Sequence, residues 1–225
     1  MQGKSYSLGV LSVLTCIGSV APSYAFRSGP PAGHNGSTAS GGATCMVCHG
    51  SAIGGGMVEI LGVPAQYEAD ALYDLTVRIS DPAQAGAGFQ LSVETAAGSQ
   101  AGTLIAIDAT NTQLNVDPRW INHTQTGVNN AVATWAAMGN AAEYDVRWQA
   151  PATDVGPVTF WAAGNAINND FFNTGDIIYL TNESATFLSI VPAAGAWGLL
   201  AMGLVVLIAG TIVVGRSTIN VSATV

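Results

Sequence analysis

Apolar and polar residues alternate with a period of two through most of the middle of the chain. In 72–80, Tyr73, Leu75, Val77 and Ile79 fall on one side of an extended backbone and Asp74, Thr76, Arg78 and Ser80 on the other. Successive side chains of a strand point to opposite faces, so this run predicts a strand with one face in a core and one in water. Phe89, Leu91 and Val93 alternate in the same way with Gln90, Ser92 and Glu94, and Tyr144, Val146 and Trp148 with Asp145, Arg147 and Gln149. Pro151 ends the last run, because proline cannot donate to a ladder. Further strands are predicted over 103–107, 158–163 and 177–181, with an Asn/Asp/Gly-rich turn region over 164–176 before the last. No stretch of this region sustains a helical period with caps. Short strands separated by turns predict an all-β, antiparallel sandwich.

Two uncharged stretches flank this region. Lys4, the apolar run 8–20 and Ser23-Tyr24-Ala25 have the order of a secretory signal peptide, with cleavage expected after Ala25. The run 197–214 is apolar throughout, about 18 residues, which is enough for one membrane crossing. Arg216 follows it, and a basic residue there favours a cytoplasmic C-terminus, leaving the domain outside. The expected organisation is a signal peptide 1–25, a Gly-rich attachment segment 26–66, a sandwich 67–189, a sorting and transmembrane anchor 190–216 and a tail 217–225. About 160 residues remain between the two targeting segments, enough to bury a core.

Composition narrows the class further. Charged residues make up 9% of the 225 residues, the hydrophobic class 49%, and the formal net charge is −8. A surface poor in Lys and Arg repels phosphate backbones, so nucleic acid is excluded as a partner. No nucleophile elbow, P-loop or dinucleotide fingerprint is present.

The most specific chemistry is Cys45-Met46-Val47-Cys48-His49, the attachment signature of a c-type haem. Two thiols on one short turn can each add to a vinyl group of the same porphyrin, and the adjacent histidine then lies beneath the iron. The surrounding segment 29–56 is rich in Gly, Ser, Ala and Pro and reads as loop. Tetrahedral zinc lacks a second pair of ligands at finger-like spacing. An exported dithiol or plain disulfide remains open. Of three cysteines, Cys16 falls in the signal segment, so Cys45 and Cys48 alone would persist in the mature chain.

The expected cofactor is one covalent haem c, with Cys45 and Cys48 as thioether positions and His49 as proximal ligand. The sixth position decides between electron transfer and ligand binding. The chain has three histidines, and His123, in Asn122-His123-Thr124 between two predicted strands, is the expected sixth ligand. His34, Met57 and Met138 compete with it. Trp120, Trp135, Trp148 and Trp161 are expected to fill the core or screen the haem. The cluster Asn165, Asn168, Asn169, Asp170, Asn173 and Asp176 would suit calcium by density, but Asx turns explain the same composition.

Several motifs in order complete a resemblance: Gly-Pro-Pro-Ala-Gly-His at 29–34, the Cys-x-x-Cys-His run, Tyr67 and Tyr73 at a strand entry, Gly88-Phe89-Gln90-Leu91, and Ile121-Asn122-His123-Thr124. Trp148-Gln149-Ala150-Pro151, 158–165 and 175–179 continue it. Together they resemble the bacterial "choice-of-anchor" Reeler-like domain family, similar to the N-terminal module of reelin. The resemblance implies an immunoglobulin-like (Reeler-like) antiparallel β-sandwich preceded by the Cys-x-x-Cys-His run, and it includes His123. Val191-Pro192-Ala193-Ala194 resembles a sorting motif of that family, although Arg216 stands alone where a basic cluster is usual.

The resulting expectation is an exported, membrane-anchored monohaem cytochrome that transfers single electrons on the periplasmic or extracellular side. Its partners would be a redox protein or an extracellular electron acceptor, with self-assembly a further partner class, and it is more an electron carrier than an enzyme. A surface binding or adhesion module with a structural Cys pair, and a haem sensor or peroxidase with an open sixth site, are the competing readings.

Overall fold

The computed structural model describes residues 26–50, 53–189 and 204–205. The expected signal peptide, and the anchor apart from 204–205, lie outside these residues. The chain divides into two compact units, Met1–Phe187 and Leu188–Val225. Among the described residues no helix is long and apolar enough to cross a membrane.

The first unit is an all-β sandwich. In chain order its elements are a helical turn α1 (Met46–His49), then β1 (Met57–Leu61), β2 (Gln66–Tyr67), β3 (Leu72–Ser80), β4 (Gly86–Thr95), β5 (Thr103–Ile105) and β6 (Thr112–Leu114). There follow β7 (Trp120–His123), α2 (Gln125–Thr134), β8 (Ala141–Gln149), β9 (Val158–Ile167) and β10 (Ile177–Phe187). A 4-stranded sheet in the order β1-β3-β8-β5 packs on a 6-stranded sheet in the order β2-β10-β9-β4-β7-β6. Neighbouring strands are antiparallel except β2 with β10, which run parallel.

The alternation seen in the sequence produces the core. Leu75, Val77 and Ile79 of β3 and Tyr144, Val146 and Trp148 of β8 face Phe89, Leu91 and Val93 of β4 and Phe160 and Ala162 of β9. Trp148 spans the sheets edge-on to Phe160, with ring centroids 4.9 Å apart, and its indole N–H donates to the Ala101 carbonyl at 2.8 Å. The opposite face of the 4-stranded sheet carries charges in register. Arg78 on β3 reaches Glu59 on β1 at 3.0 Å and Glu143 on β8 at 3.4 Å, and Arg147 pairs with Asp74. Trp120 and Trp135 are buried as expected, whereas Trp161 is only partly covered.

The 6-stranded sheet departs from the simple half-buried pattern. Every residue of β4 from Gly86 to Glu94 is buried, including Gln90, Ser92 and Glu94, whose alternation predicted a solvated face. The Gly-rich N-terminal segment covers them. Gln90 accepts from the His34 N–H at 2.6 Å and donates to the Pro31 carbonyl at 2.8 Å. Asn35 donates to Ser92 Oγ at 2.8 Å, Ser92 donates to Glu94, and the other Glu94 oxygen accepts from the Ala39 N–H at 2.9 Å. A burial this polar is tolerated because each group finds a partner. The segment expected to be a loose loop is thus fastened across the sheet, and it ends in α1 rather than in coil. Among the elements missing from the sequence reading are β1, whose Val58 and Ile60 enter the core, β7, and α2, which is capped by Thr124 Oγ1 accepting from Gly127 N–H at 2.9 Å.

Candidate functional site

The covered face of the 6-stranded sheet opens at one end into a cleft of about 710 Å³, counting its mouth. Its walls are mainly apolar, from Phe26, Pro30, Pro31, Phe89, Val128 and Ile167, and Cys45, Cys48, His49, His34 and His123 all line it. Residues far apart in sequence meet there because α1 arrives on the N-terminal segment, Gly88 and Phe89 lie in the first half of β4, His123 ends β7, and Asn165 sits near the end of β9.

His123 stands at the last position of β7 and not between strands as expected. The pairing of β4 with β7 runs through Gln90 and Asn122, and the His123 ring takes up the backbone groups beyond. Its Nδ1 accepts from the Phe89 N–H at 2.9 Å and lies 3.2 Å from the Phe89 carbonyl, while Nε2 lies 3.3 Å from the Phe26 carbonyl. These contacts are all satisfied by the neutral tautomer with its proton on Nε2, which accepts from the Phe89 N–H at Nδ1 and donates to the Phe26 carbonyl. Burial pushes its pKa down to about 4, partly countered by the Phe26 and Phe89 backbone, with the Arg27 and His49 charges lowering it further. A neutral imidazole is the form that ligates metals. Gly88 makes room for the ring, since a Cβ there would lie 2.6 Å from His123 Cε1.

His49 is held from behind. Its Nδ1 lies 2.9 Å from Asp176 Oδ2, and the network assigns the proton to Nδ1, donated to the carboxylate. Asp176 is 1% exposed and His49 11% by side chain. The Asn165 amide nitrogen sits 3.3 Å from the same Asp176 oxygen and 3.4 Å from His49 Nε2, and its own Oδ1 is buried without a partner. Asn173 also donates from its side chain to the Cys48 carbonyl. His34 lines the cleft with its Nδ1 3.0 Å from the Ala32 carbonyl.

Cys45 and Cys48 are not joined by a disulfide, and both are partly exposed. Cys45 donates to the His34 carbonyl at 3.3 Å, and burial pushes its thiol up to about 12. A thiol so poor in thiolate is a poor redox nucleophile. Met57 and Met138, half-exposed, do not line the cleft, which removes both from the sixth-ligand candidates. Within the Asn/Asp cluster, Asn168 accepts from the Asp170 N–H and Asp170 from the Phe172 N–H, which are Asx turns. Among the described residues no group of His, Cys, Asp and Glu is arranged to hold a metal ion by itself.

The residues fit a tethered haem: two thiols on one helical turn, a histidine beside them with its Nδ1 already engaged, further histidines on the same cleft, apolar walls, and an orphaned amide oxygen. The sequence reading named Cys45, Cys48, His49 and His123, and all four line the cleft. It missed Asp176 and Asn165, although both lay in the cluster singled out for its oxygen atoms, and it missed Gly88.

No family model matches the chain, and no curated protein matches it. Among solved structures, the Reelin-N domain of F-spondin is 19% identical and covers 64% of this chain and 96% of its own, with a TM-score of 0.45. A human F-spondin reeler domain fragment is 18% identical, covering 61% of this chain and 91% of its own, with a TM-score of 0.42. The alchivemycin A macrocyclization enzyme AvmM is 10% identical, covering 63% and 93%, with a TM-score of 0.34. At such identities and scores the likeness bears on neither activity nor ligand.

Proposed function

We propose that the chain is an exported, membrane-anchored monohaem c-type cytochrome that carries single electrons at the cell envelope. The observation that carries this reading is the convergence of Cys45, Cys48, His49 and His123 on one largely apolar cleft. The apolar runs at both ends of the sequence support export and anchoring, and they favour a domain on the periplasmic or extracellular side.

When bound, the haem supplies an iron that changes charge by one electron. Cys45 and Cys48 would hold it by thioether bonds, His49 Nε2 would be the proximal ligand and His123 Nε2 the sixth. The chain's own contribution is to restrain these side chains. To offer a bare Nε2, His123 would carry its proton on Nδ1 and donate it to the Phe89 carbonyl, at the cost of the bond it now accepts from the Phe89 N–H. Fastening of the N-terminal segment through Gln90, Asn35 and Glu94 fixes the turn that bears the cysteines, and the apolar walls keep water from the ligands. A sandwich restrained in this way changes little when the charge at the site changes, which favours rapid electron exchange. One observation favours His34 in the sixth position instead: its Nδ1 is anchored on Ala32, and its Nε2 makes no hydrogen bond within the described residues.

The test is a pyridine haemochrome spectrum of chain produced with cytochrome c maturation machinery, beside a Cys45→Ala/Cys48→Ala control. A c-type band lost in the control is expected. His123→Ala should then convert a low-spin spectrum to high-spin, and the same conversion in His34→Ala alone assigns the ligand to His34. Absence of the band in the unmodified chain overturns the proposal in favour of a surface binding module.

A further inference from the structure

The cleft contains a carboxylate whose position the thioether motif does not explain. Asp176 lies just before β10, separated by 127 residues from the histidine it contacts, and is buried to 1% exposure. Burying a carboxylate is costly unless it is bonded on all sides. Here Oδ2 takes the His49 Nδ1–H at 2.9 Å and the Asn165 amide at 3.3 Å, and Oδ1 takes the Asn168 N–H at 3.2 Å. No Lys or Arg forms an ion pair with it among the described residues, so His49 is its basic partner.

From this geometry we infer that Asp176 is a positioning residue that sets the reduction potential of the iron through His49. The inference rests on the cytochrome reading above. A ligating imidazole that gives its second N–H to a carboxylate is fixed in tautomer and orientation and becomes a more basic ligand. A more basic ligand, with a buried negative charge behind it, stabilises the more highly charged iron and so favours the oxidised state. One electron enters from a redox protein and one leaves to the acceptor, no atoms are transferred, and the proton stays between Nδ1 and Oδ2 throughout. Asn165 opposes the effect in part by sharing the same carboxylate oxygen.

The closing experiment is spectroelectrochemical titration of the matured full chain, the wild type beside Asp176→Asn. Asparagine keeps the shape and an acceptor oxygen for Asn168, and it removes both the charge and the acceptor that faces His49 Nδ1. The expected result is unchanged haem content with the oxidised-to-reduced equilibrium moved at least tenfold toward the reduced form, about 59 mV for one electron. Haem present in both with equal potentials overturns the inference and leaves the cytochrome reading standing. If Asp176→Asn does not fold, Asn165→Ala decides: it leaves His49 as the sole side-chain partner of that oxygen among the described residues and should move the potential the opposite way, and an unchanged potential overturns the inference. A wild type without a haemochrome band overturns the cytochrome reading itself, and this inference falls with it.

Discussion

Gly88→Ala tests whether the cleft is built around His123. A Cβ at position 88 would lie 2.6 Å from His123 Cε1, 2.7 Å from Nδ1 and 3.1 Å from Nε2, all inside ordinary van der Waals contact. The ring cannot easily retreat, because His123 is 7% exposed and its nitrogens sit on Phe89 and Phe26. Relief requires the ring to swing away from the Phe89 N–H, leaving a buried donor unpaired. Overpacking costs about 1–3 kcal/mol and an unpaired buried donor a similar amount, and a partial swing that leaves some of each costs about 2–4 kcal/mol. Alanine also restricts the unfolded chain, returning about 0.5–1 kcal/mol, so the net loss should be about 1–3 kcal/mol. Urea denaturation of the haem-free protein reads this as a midpoint lower by roughly 0.5–1.5 M at an m-value near 2 kcal/mol/M. In a His123→Ala background the clashing partner is gone, and Gly88→Ala should be neutral or stabilising. Equal losses in both backgrounds would refute the reasoning, because the coupling between the two sites would then be zero.

Acid should destabilise the haem-free protein through His123. Its pKa is depressed to about 4 in the folded state and is near 6.5 when exposed, so the unfolded chain binds more protons between these values. Its contribution is complete above pH 6.5 and is lost as pH falls toward 4, by about 3 kcal/mol in total. Denaturation midpoints of wild type and His123→Gln across pH 4–7 check this, and a slope unchanged in the variant would count against it. Trp148→Phe keeps the core aromatic but strands the Ala101 carbonyl and removes ring volume. A loss of about 2 kcal/mol is expected, or a Tm lower by roughly 4–8 °C. A Tm within a degree of the wild type would show that this hydrogen bond contributes nothing.

Strands whose outer face meets water were legible in the sequence. In β3 and β8, Leu75, Val77, Tyr144 and Val146 alternate with charged or polar partners that pair across the surface, so pattern and structure agree. β4 shows the limit of that logic. Gln90, Ser92 and Glu94 look like a wet face to any count of alternation, and only the arrival of 31–39 over them makes that face interior. α2 escaped because its buried residues, Gly127, Val128 and Ala131, make too thin an apolar stripe for a helical period to show. At the cleft, Cys45, Cys48 and His49 could be named because the motif is local. Asp176 could not, since its role depends on a contact closed from the far end of the chain; the surplus of oxygen side chains around it was visible, but not its direction.

The spacing of the cleft's parts along the chain also sets an order of events. Cys45 to His49 form a single helical turn, made of neighbours in sequence and so available before any distant strands pair. Asp176 closes on His49 across 127 residues and Asn165 across 116. Chains dominated by such distant pairings fold slowly, because the closure entropy is spent before the contacts repay it. A group tethered to the turn would therefore meet an open, extended peptide, and the sheet would later form around it. Maturation enzymes would need access to an unfolded strand alone, and premature folding would be the competing reaction that shuts them out.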